Sequence, residues 1–132
     1  MRVLPTALAA ALVAALAGCG GGSSKNEPGR TVSAQAGTPI PVSAREYKFD
    51  PKTIVVSGAK GKAKVQIALK NDGALAHDVH VMKDGSDIGG TPAFTGGKTK
   101  TVTLALAPGQ YTFLCTVGDH AQLGMEGKLT VK

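Results

Sequence analysis

Apolar residues recur at every second position in short runs from Ile40 to the end of the chain. In one run, Val65, Ile67 and Leu69 alternate with polar or small side chains. A repeat of two residues is the spacing at which a β-strand presents one face to a core. Similar runs lie at residues 53–57, 77–82, 101–106, 111–115 and 127–131. Turn-forming pairs separate them, at Asp50-Pro51, Ser57-Gly58, Asp72-Gly73, Gly89-Gly90, Gly96-Gly97 and Pro108-Gly109. The sequence therefore predicts an all-β domain over residues 39–132, an antiparallel sandwich or barrel.

The first 18 residues have the features of a secretory signal peptide. Arg2 precedes an apolar run over residues 3–17, which is too short for a membrane span. The sequence Leu16-Ala17-Gly18-Cys19 resembles the bacterial lipobox, which implies cleavage before Cys19 and lipidation of that residue. We therefore expect an extracytoplasmic protein, anchored by lipid on the periplasmic side or at the outer cell surface. An ordinary secreted protein in which Cys19 is incidental is the alternative.

Residues 20–38 are rich in Gly and Ser and show no apolar periodicity. We expect residues 19–38 to form a lipidated cysteine followed by a flexible tether, with a root-mean-square length of about 25 Å. Such a tether would let a small domain swing between partners at a membrane.

The charge balance is basic but does not indicate nucleic-acid binding. The chain carries 15 Lys and Arg against 9 Asp and Glu, with three Phe, two Tyr and no Trp. Nucleic-acid surfaces usually interleave basic and aromatic side chains, and this pattern is missing from the sequence. We expect a monomer with a solvated, lysine-rich surface that has at most a weak attraction to acidic partners or anionic membranes.

The two cysteines have different expected fates. Lipid would modify Cys19, which leaves Cys115 as a lone thiol in an oxidising compartment, where cysteines are usually paired. Tyr111, Phe113 and Cys115 alternate on one strand, so the Cys115 sulfur is predicted to point inward. A lone inward cysteine can also be a small apolar residue of the core.

Three further side chains could join Cys115 in a metal site. His120 and Met125 follow it in a loop that two glycines allow to turn. The alternation upstream places His77 inward with Val79, and Asp78, His80 and Met82 outward. A thiolate, a thioether and two imidazoles are a set that suits copper. Taken singly, each histidine could instead be solvated, and Met125 could be a core filler.

The chain resembles the cupredoxins, the small blue-copper family that includes plastocyanin, azurin and auracyanin. The similarity runs from Glu46 to Val131, through residues 46–56, 71–81 and 111–131. It implies a Greek-key β-sandwich and one copper ion, Cu(I) or Cu(II), that is held by His77, Cys115, His120 and an axial Met125. It also implies that His120 is the electron port, with an apolar docking rim formed by Ala121, Leu123 and Gly124.

Two positions depart from the commoner family pattern. Gly118-Asp119 precedes His120 where many members have Pro-Gly, which places a carboxylate near the implied port. Asp78 follows the first histidine where Asn is common, and we expect its carboxylate to accept backbone N–H bonds close to the ligands. His80 is either a partner of Asp78 or an exposed surface histidine.

The function that the resemblance implies is transfer of single electrons between redox proteins, such as cytochromes or membrane oxidoreductases. The predicted site has neither an open coordination position nor an acid–base pair, so we do not expect an enzyme. Three alternatives stay open. They are a copper carrier or chaperone with the same ligands, a thiol enzyme that uses Cys115 as nucleophile and His120 as base, and a structural lipoprotein.

Overall fold

The computed structural model describes residues 29–132, which form ten β-strands. In chain order they are β1 (Thr31–Gln35), β2 (Pro39–Arg45), β3 (Lys48–Asp50), β4 (Thr53–Ser57), β5 (Ala63–Asn71), β6 (His80–Lys83), β7 (Ser86–Gly90), β8 (Thr99–Leu106), β9 (Gly109–Leu114) and β10 (Glu126–Val131). Between residues 29 and 132 there is no helix, and hence none that is long and apolar enough to cross a membrane. The predicted all-β class is confirmed.

The strands form two sheets of mixed direction. The larger sheet has the order β1-β4-β10-β9-β6-β7 and the smaller has the order β3-β2-β5-β8. Strand β4 pairs in parallel with both β1 and β10, and β2 pairs in parallel with β5. The predicted sandwich is therefore present, but three of its strand pairs are parallel where antiparallel pairing was expected. Alternation reports which face of a strand is buried, but it carries no information on the direction of the neighbouring strand.

The core lies between the two sheets. Val65, Ile67 and Leu69 of β5 are at most 1% exposed, as their alternation predicts. The rings of Phe49 from the smaller sheet and Phe113 from the larger one are 5.4 Å apart, so they join the two layers. This burial of apolar surface is the main stabilising contribution to a sandwich of this size.

The predicted flexible tether ends earlier than expected. Residues 31–35 form β1, which pairs residue by residue with residues 53–57 of β4. Val32 and Ala34 are half-buried against the core, and the side chain of Gln66 donates to the carbonyl of Gly37 at 3.0 Å. The sequence did not reveal β1 because its pairing depends on backbone hydrogen bonds and on only two small apolar side chains. The predicted signal peptide of residues 1–18, Cys19 and the first part of the tether lie outside the described residues.

We expect Gly127→Ala to lower the free energy of unfolding by about 1–3 kcal/mol, the usual cost of overpacking. Gly127 faces Phe113 across the β9–β10 pair, and an added Cβ would overlap that ring. The same Cβ would lie 2.6 Å from the carbonyl oxygen of Lys52, which is fixed because it accepts the backbone N–H of Lys128. Urea denaturation of the metal-free protein measures the change. The exposed neighbour Lys128→Ala is the control, and equal stability of the two variants would contradict this account of the packing.

Candidate metal centre

Three side chains converge at one end of the sandwich. The ligand atoms of His77, Cys115 and His120 all lie within 4.8 Å of one another, and all three residues are buried. The sulfur of Cys115 is 3.5 Å from Nδ1 of His120, and the two imidazole rings are 5.1 Å apart. The structure thus brings together three of the four predicted ligands, of which His77 is 38 residues before Cys115 in the chain.

The loop between β9 and β10 carries two of these residues together with Met125. Backbone bonds close the loop, because the N–H of Cys115 donates to the carbonyl of Met125 at 3.1 Å and that of Met125 donates to His120 at 3.0 Å. Gly124 has a φ of 106°, a conformation that side-chain-bearing residues rarely adopt. Met125 is fully buried within this closed loop. Its role as a fourth ligand stays a prediction.

His77 reaches the site from the segment before β6, the strand beside β9 in the larger sheet. Its backbone exchanges two hydrogen bonds with Phe94, at 3.1 and 3.0 Å. The amide of Asn71 donates to the carbonyl of Phe94 at 2.7 Å and to that of Leu75 at 2.9 Å. His77 is therefore fixed directly by its bonds to Phe94 and indirectly by the Asn71 amide, which holds the Phe94 carbonyl. Val79 and Val81 are fully buried with it, as the alternation predicts.

The donor set fits a soft metal ion. Among the described residues, Nδ1 of His77 is the one buried side-chain nitrogen or oxygen without a hydrogen-bond partner. An unpaired buried polar atom is costly, and coordination of a metal would satisfy it. Burial also raises the pKa of the Cys115 thiol, so a bound cation is needed to hold the thiolate at neutral pH. Two imidazoles and a thiolate are a combination that suits copper.

Glu46 and Tyr47 contact the two histidines from outside the cluster, and sequence reasoning assigned them no role. One carboxylate oxygen of Glu46 lies 3.1 Å from Nε2 of His77 and accepts the N–H of Leu75 at 2.8 Å. The Leu75 bond is the main reason that the pKa of Glu46 falls to about 2. The Tyr47 ring packs edge-on against the His120 ring, with centroids 4.9 Å apart. Both residues lie in the stretch that resembles the cupredoxins, but no spacing rule connects them to the ligands.

Asp78 was predicted to face away from the core, and the structure shows in addition that it is buried, with only 3% exposed. Its carboxylate turns away from the core but is covered by the chain that follows β9. It accepts the backbone N–H of Thr116 at 2.6 Å and the hydroxyl of the same residue at 2.5 Å. The structure thus shows the expected backbone N–H bond, and it joins the segments that hold His77 and Cys115.

His80 continues this network toward solvent. Its Nδ1 lies 2.7 Å from a carboxylate oxygen of Asp87, and its Nε2 lies 3.0 Å from the carbonyl of Thr91. The same Nε2 is 3.8 Å from Asp78. His80 is therefore half-buried and hydrogen-bonded to Asp87 and Thr91, with Asp78 as a neighbour at 3.8 Å, so it is not an exposed surface histidine.

The predicted electron port lies where the loop meets solvent. His120 is 7% exposed, and Leu123 beside it is 47% exposed. Ala121 and Gly124 are half-buried, and Asp119 is exposed. The exposed apolar side chains of the described residues also include Tyr47, which the predicted rim omitted.

We expect Asp78→Ala to destabilise the metal-free protein by about 1.5–3 kcal/mol, the range for hydrogen bonds to a charged group. Asp78→Asn should cost less, because the amide oxygen can still accept the Thr116 N–H and the Thr116 hydroxyl can turn to accept from the amide. Urea denaturation of both variants measures the difference. Asp119→Ala, an exposed carboxylate in the same loop region, serves as the control and should change stability by no more than about 0.5 kcal/mol. A loss for Asp78→Ala no larger than the control would refute a structural role for the Thr116 bonds.

Comparison with known proteins agrees with this geometry. Residues 38–132 match the family model described as copper binding proteins, plastocyanin/azurin family. Auracyanin-A of Chloroflexus aurantiacus is 27% identical, with 99% of this chain and 97% of that protein aligned.

Two solved structures share the fold of this chain. Dithionite-reduced auracyanin of Roseiflexus castenholzii is 25% identical and has a TM-score of 0.65, with 74% of this chain and 98% of that chain covered. Rusticyanin of Thiobacillus ferrooxidans shares the fold at 19% identity, with a TM-score of 0.62 over 82% of this chain and 88% of that chain. The chain belongs to the plastocyanin/azurin family of copper-binding proteins, the cupredoxins, and its cofactor is copper.

Proposed function

We propose that this protein is a blue copper electron carrier in which His77, Cys115 and His120 would bind the ion and Met125 would be the fourth, weaker ligand. The observation that carries the proposal is the buried convergence of two imidazole nitrogens and one thiol sulfur within 4.8 Å. A His2Cys set with a weak Met is the arrangement of blue-copper electron-transfer sites. Family membership supports the same role.

The protein contributes a rigid and largely dry site. When bound, copper supplies a one-electron couple between Cu(I) and Cu(II). The loop bonds of Cys115 and Met125 and the Phe94 bonds of His77 hold the ligands in one geometry, so little rearrangement accompanies a change of charge. His120 is the ligand whose edge reaches solvent, which makes it the proposed port. Ala121, Leu123 and Gly124 form the proposed contact rim.

The proposed setting is extracytoplasmic. The signal-like residues 1–18 and the lipobox-like Cys19 support export and a lipid anchor, on the periplasmic side or at the outer cell surface. Since β1 begins at Thr31, the proposed tether shortens to residues 20–30, with a root-mean-square length of about 18 Å. The proposed partners are redox proteins such as cytochromes or membrane oxidoreductases, which a monomeric domain on this tether would meet in turn.

Addition of Cu(II) to the purified protein should produce an intense blue sulfur-to-copper absorption band that a reductant bleaches reversibly. The band arises from the Cys115 thiolate, so Cys115→Ala should lack it entirely. Visible spectra of the two proteins under identical loading test the proposal. A colourless protein that still binds Cu(I) would favour a copper carrier instead, and a failure to bind copper at all would remove the proposed function.

We expect Asp78→Asn to raise the reduction potential by on the order of 50 mV, because it removes a buried negative charge that favours Cu(II) over Cu(I). Redox titration of the blue band measures the shift. Asp87→Asn is the matched control, since that carboxylate is about half exposed and contacts His80 instead of Thr116. Its shift should be smaller, and a fall or no change for Asp78→Asn would contradict the expectation.

A further inference from the structure

The connection between β2 and β3 consists of only two residues, Glu46 and Tyr47. Both strands belong to the smaller sheet, whereas the loop and the segment that carry the ligands belong to the larger one. Glu46 contacts His77, and Tyr47 contacts His120. One short connection from the opposite sheet thus touches both imidazoles.

The contact between Glu46 and His77 determines which ring nitrogen carries the proton. A carboxylate has no hydrogen to donate, so the 3.1 Å contact is a hydrogen bond only when Nε2 of His77 is the donor. Nδ1 then keeps its lone pair. That nitrogen is the atom without a partner, and it belongs to a residue of the three-ligand cluster. The contact therefore selects the tautomer that can bind a metal.

The carboxylate is itself held in place. Its Oε1 accepts the N–H of Leu75 at 2.8 Å, and the carbonyl of Leu75 is fixed by the amide of Asn71 at 2.9 Å. Gly73 leaves room for this approach, because an added Cβ would overlap the Glu46 carboxylate. The amide oxygen of Asn71 in turn accepts the N–H of Gly73 at 2.9 Å. The segment before His77 is thus shaped around one carboxylate.

We propose that Glu46 is a positioning residue of the copper site, which fixes His77 as the Nε2–H tautomer and strengthens the binding of Cu(II) more than that of Cu(I). The copper part of this inference rests on the proposed function. A carboxylate that accepts the second ring N–H orients a metal-bound histidine and raises its basicity. The added negative charge favours the more highly charged ion, so Glu46 lowers the reduction potential.

The first test uses the metal-free protein and isotope-detected NMR of the His77 ring. In the wild type we expect a proton on Nε2 and none on Nδ1, with slow exchange of the Nε2 proton. Glu46→Ala removes the acceptor, and Gly73→Ala displaces it without changing any charge. Both variants should exchange the Nε2 proton at least about tenfold faster. A wild-type proton on Nδ1, or unchanged exchange in both variants, would overturn the proposal.

The second test measures the affinities for Cu(II) and Cu(I) separately. Glu46→Gln keeps the shape and an acceptor oxygen but removes the charge. We expect it and Gly73→Ala to weaken Cu(II) binding by about 10- to 100-fold, the usual effect of losing such a partner, and to weaken Cu(I) binding less. A higher reduction potential of the blue band follows from the changed ratio.

Asp72→Asn is the matched control for this second test. Asp72 precedes Gly73 and is held by Ser43 at 2.7 Å and Lys70 at 2.8 Å, so its loss removes one negative charge from the same segment. In Asp72→Asn, the ratio of the Cu(II) affinity to the Cu(I) affinity should change less than about threefold. An equal loss of Cu(II) and Cu(I) affinity in Glu46→Gln, or the same change in Asp72→Asn, would overturn the proposal. If the wild type shows no blue band, the proposed function fails, while the NMR result still decides the tautomer.

Discussion

The unpaired Nδ1 atom of buried His77 is the constraint on which the rest of this site depends. A buried polar atom without a hydrogen-bond partner lowers the stability of the folded protein. Every other hydrogen bond of His77 is already used, since its backbone pairs with Phe94 and its Nε2 faces Glu46. His77 lies with Cys115 and His120 in one buried cluster, and a metal ion is the partner that could bind all three residues and satisfy this nitrogen.

The loop after β9 holds ligand residues in place because it is anchored at both ends to the paired strands β9 and β10. The β9–β10 pair runs from Gly109 with Val131 to Leu114 with Glu126, and the loop closes over the end of that ladder. The backbone hydrogen bond from Cys115 to Met125 adds one further pair to this ladder. Within this loop, the His120 ring packs against the Tyr47 ring. The positions of the ligands thus follow from main-chain bonds, which change little when the charge of a bound ion changes.

Much of this could be predicted from the sequence, because a repeat of two residues determines the face of a strand. That rule placed His77, Val79 and Cys115 inward, and the spacing to His120 and Met125 indicated the loop. It could not show that Asp78 is buried, because Thr116 covers this residue, and the covering depends on how β6 lies beside β9. It could not find Glu46, which is 31 residues from His77 and meets it only because the two sheets pack together. Strand β1 could not be predicted because it is held mainly by backbone hydrogen bonds to β4, which do not require a particular pattern of side chains.

The carboxylates around the site act through different physical routes. Asp78 is nearly inaccessible to solvent, so its charge is poorly screened, and it bonds to Thr116 and lies beside the Cys115 thiol. Glu46 is 31% exposed at its side chain and therefore better screened, yet it bonds directly to a ligand ring. Asp119 is exposed and has neither advantage. The formal charge of the whole chain is +6, but the charges that act on the bound ion are these nearby acids. We therefore propose that the balance of Cu(II) and Cu(I) depends mainly on these nearby acids, through burial for Asp78 and through direct contact for Glu46.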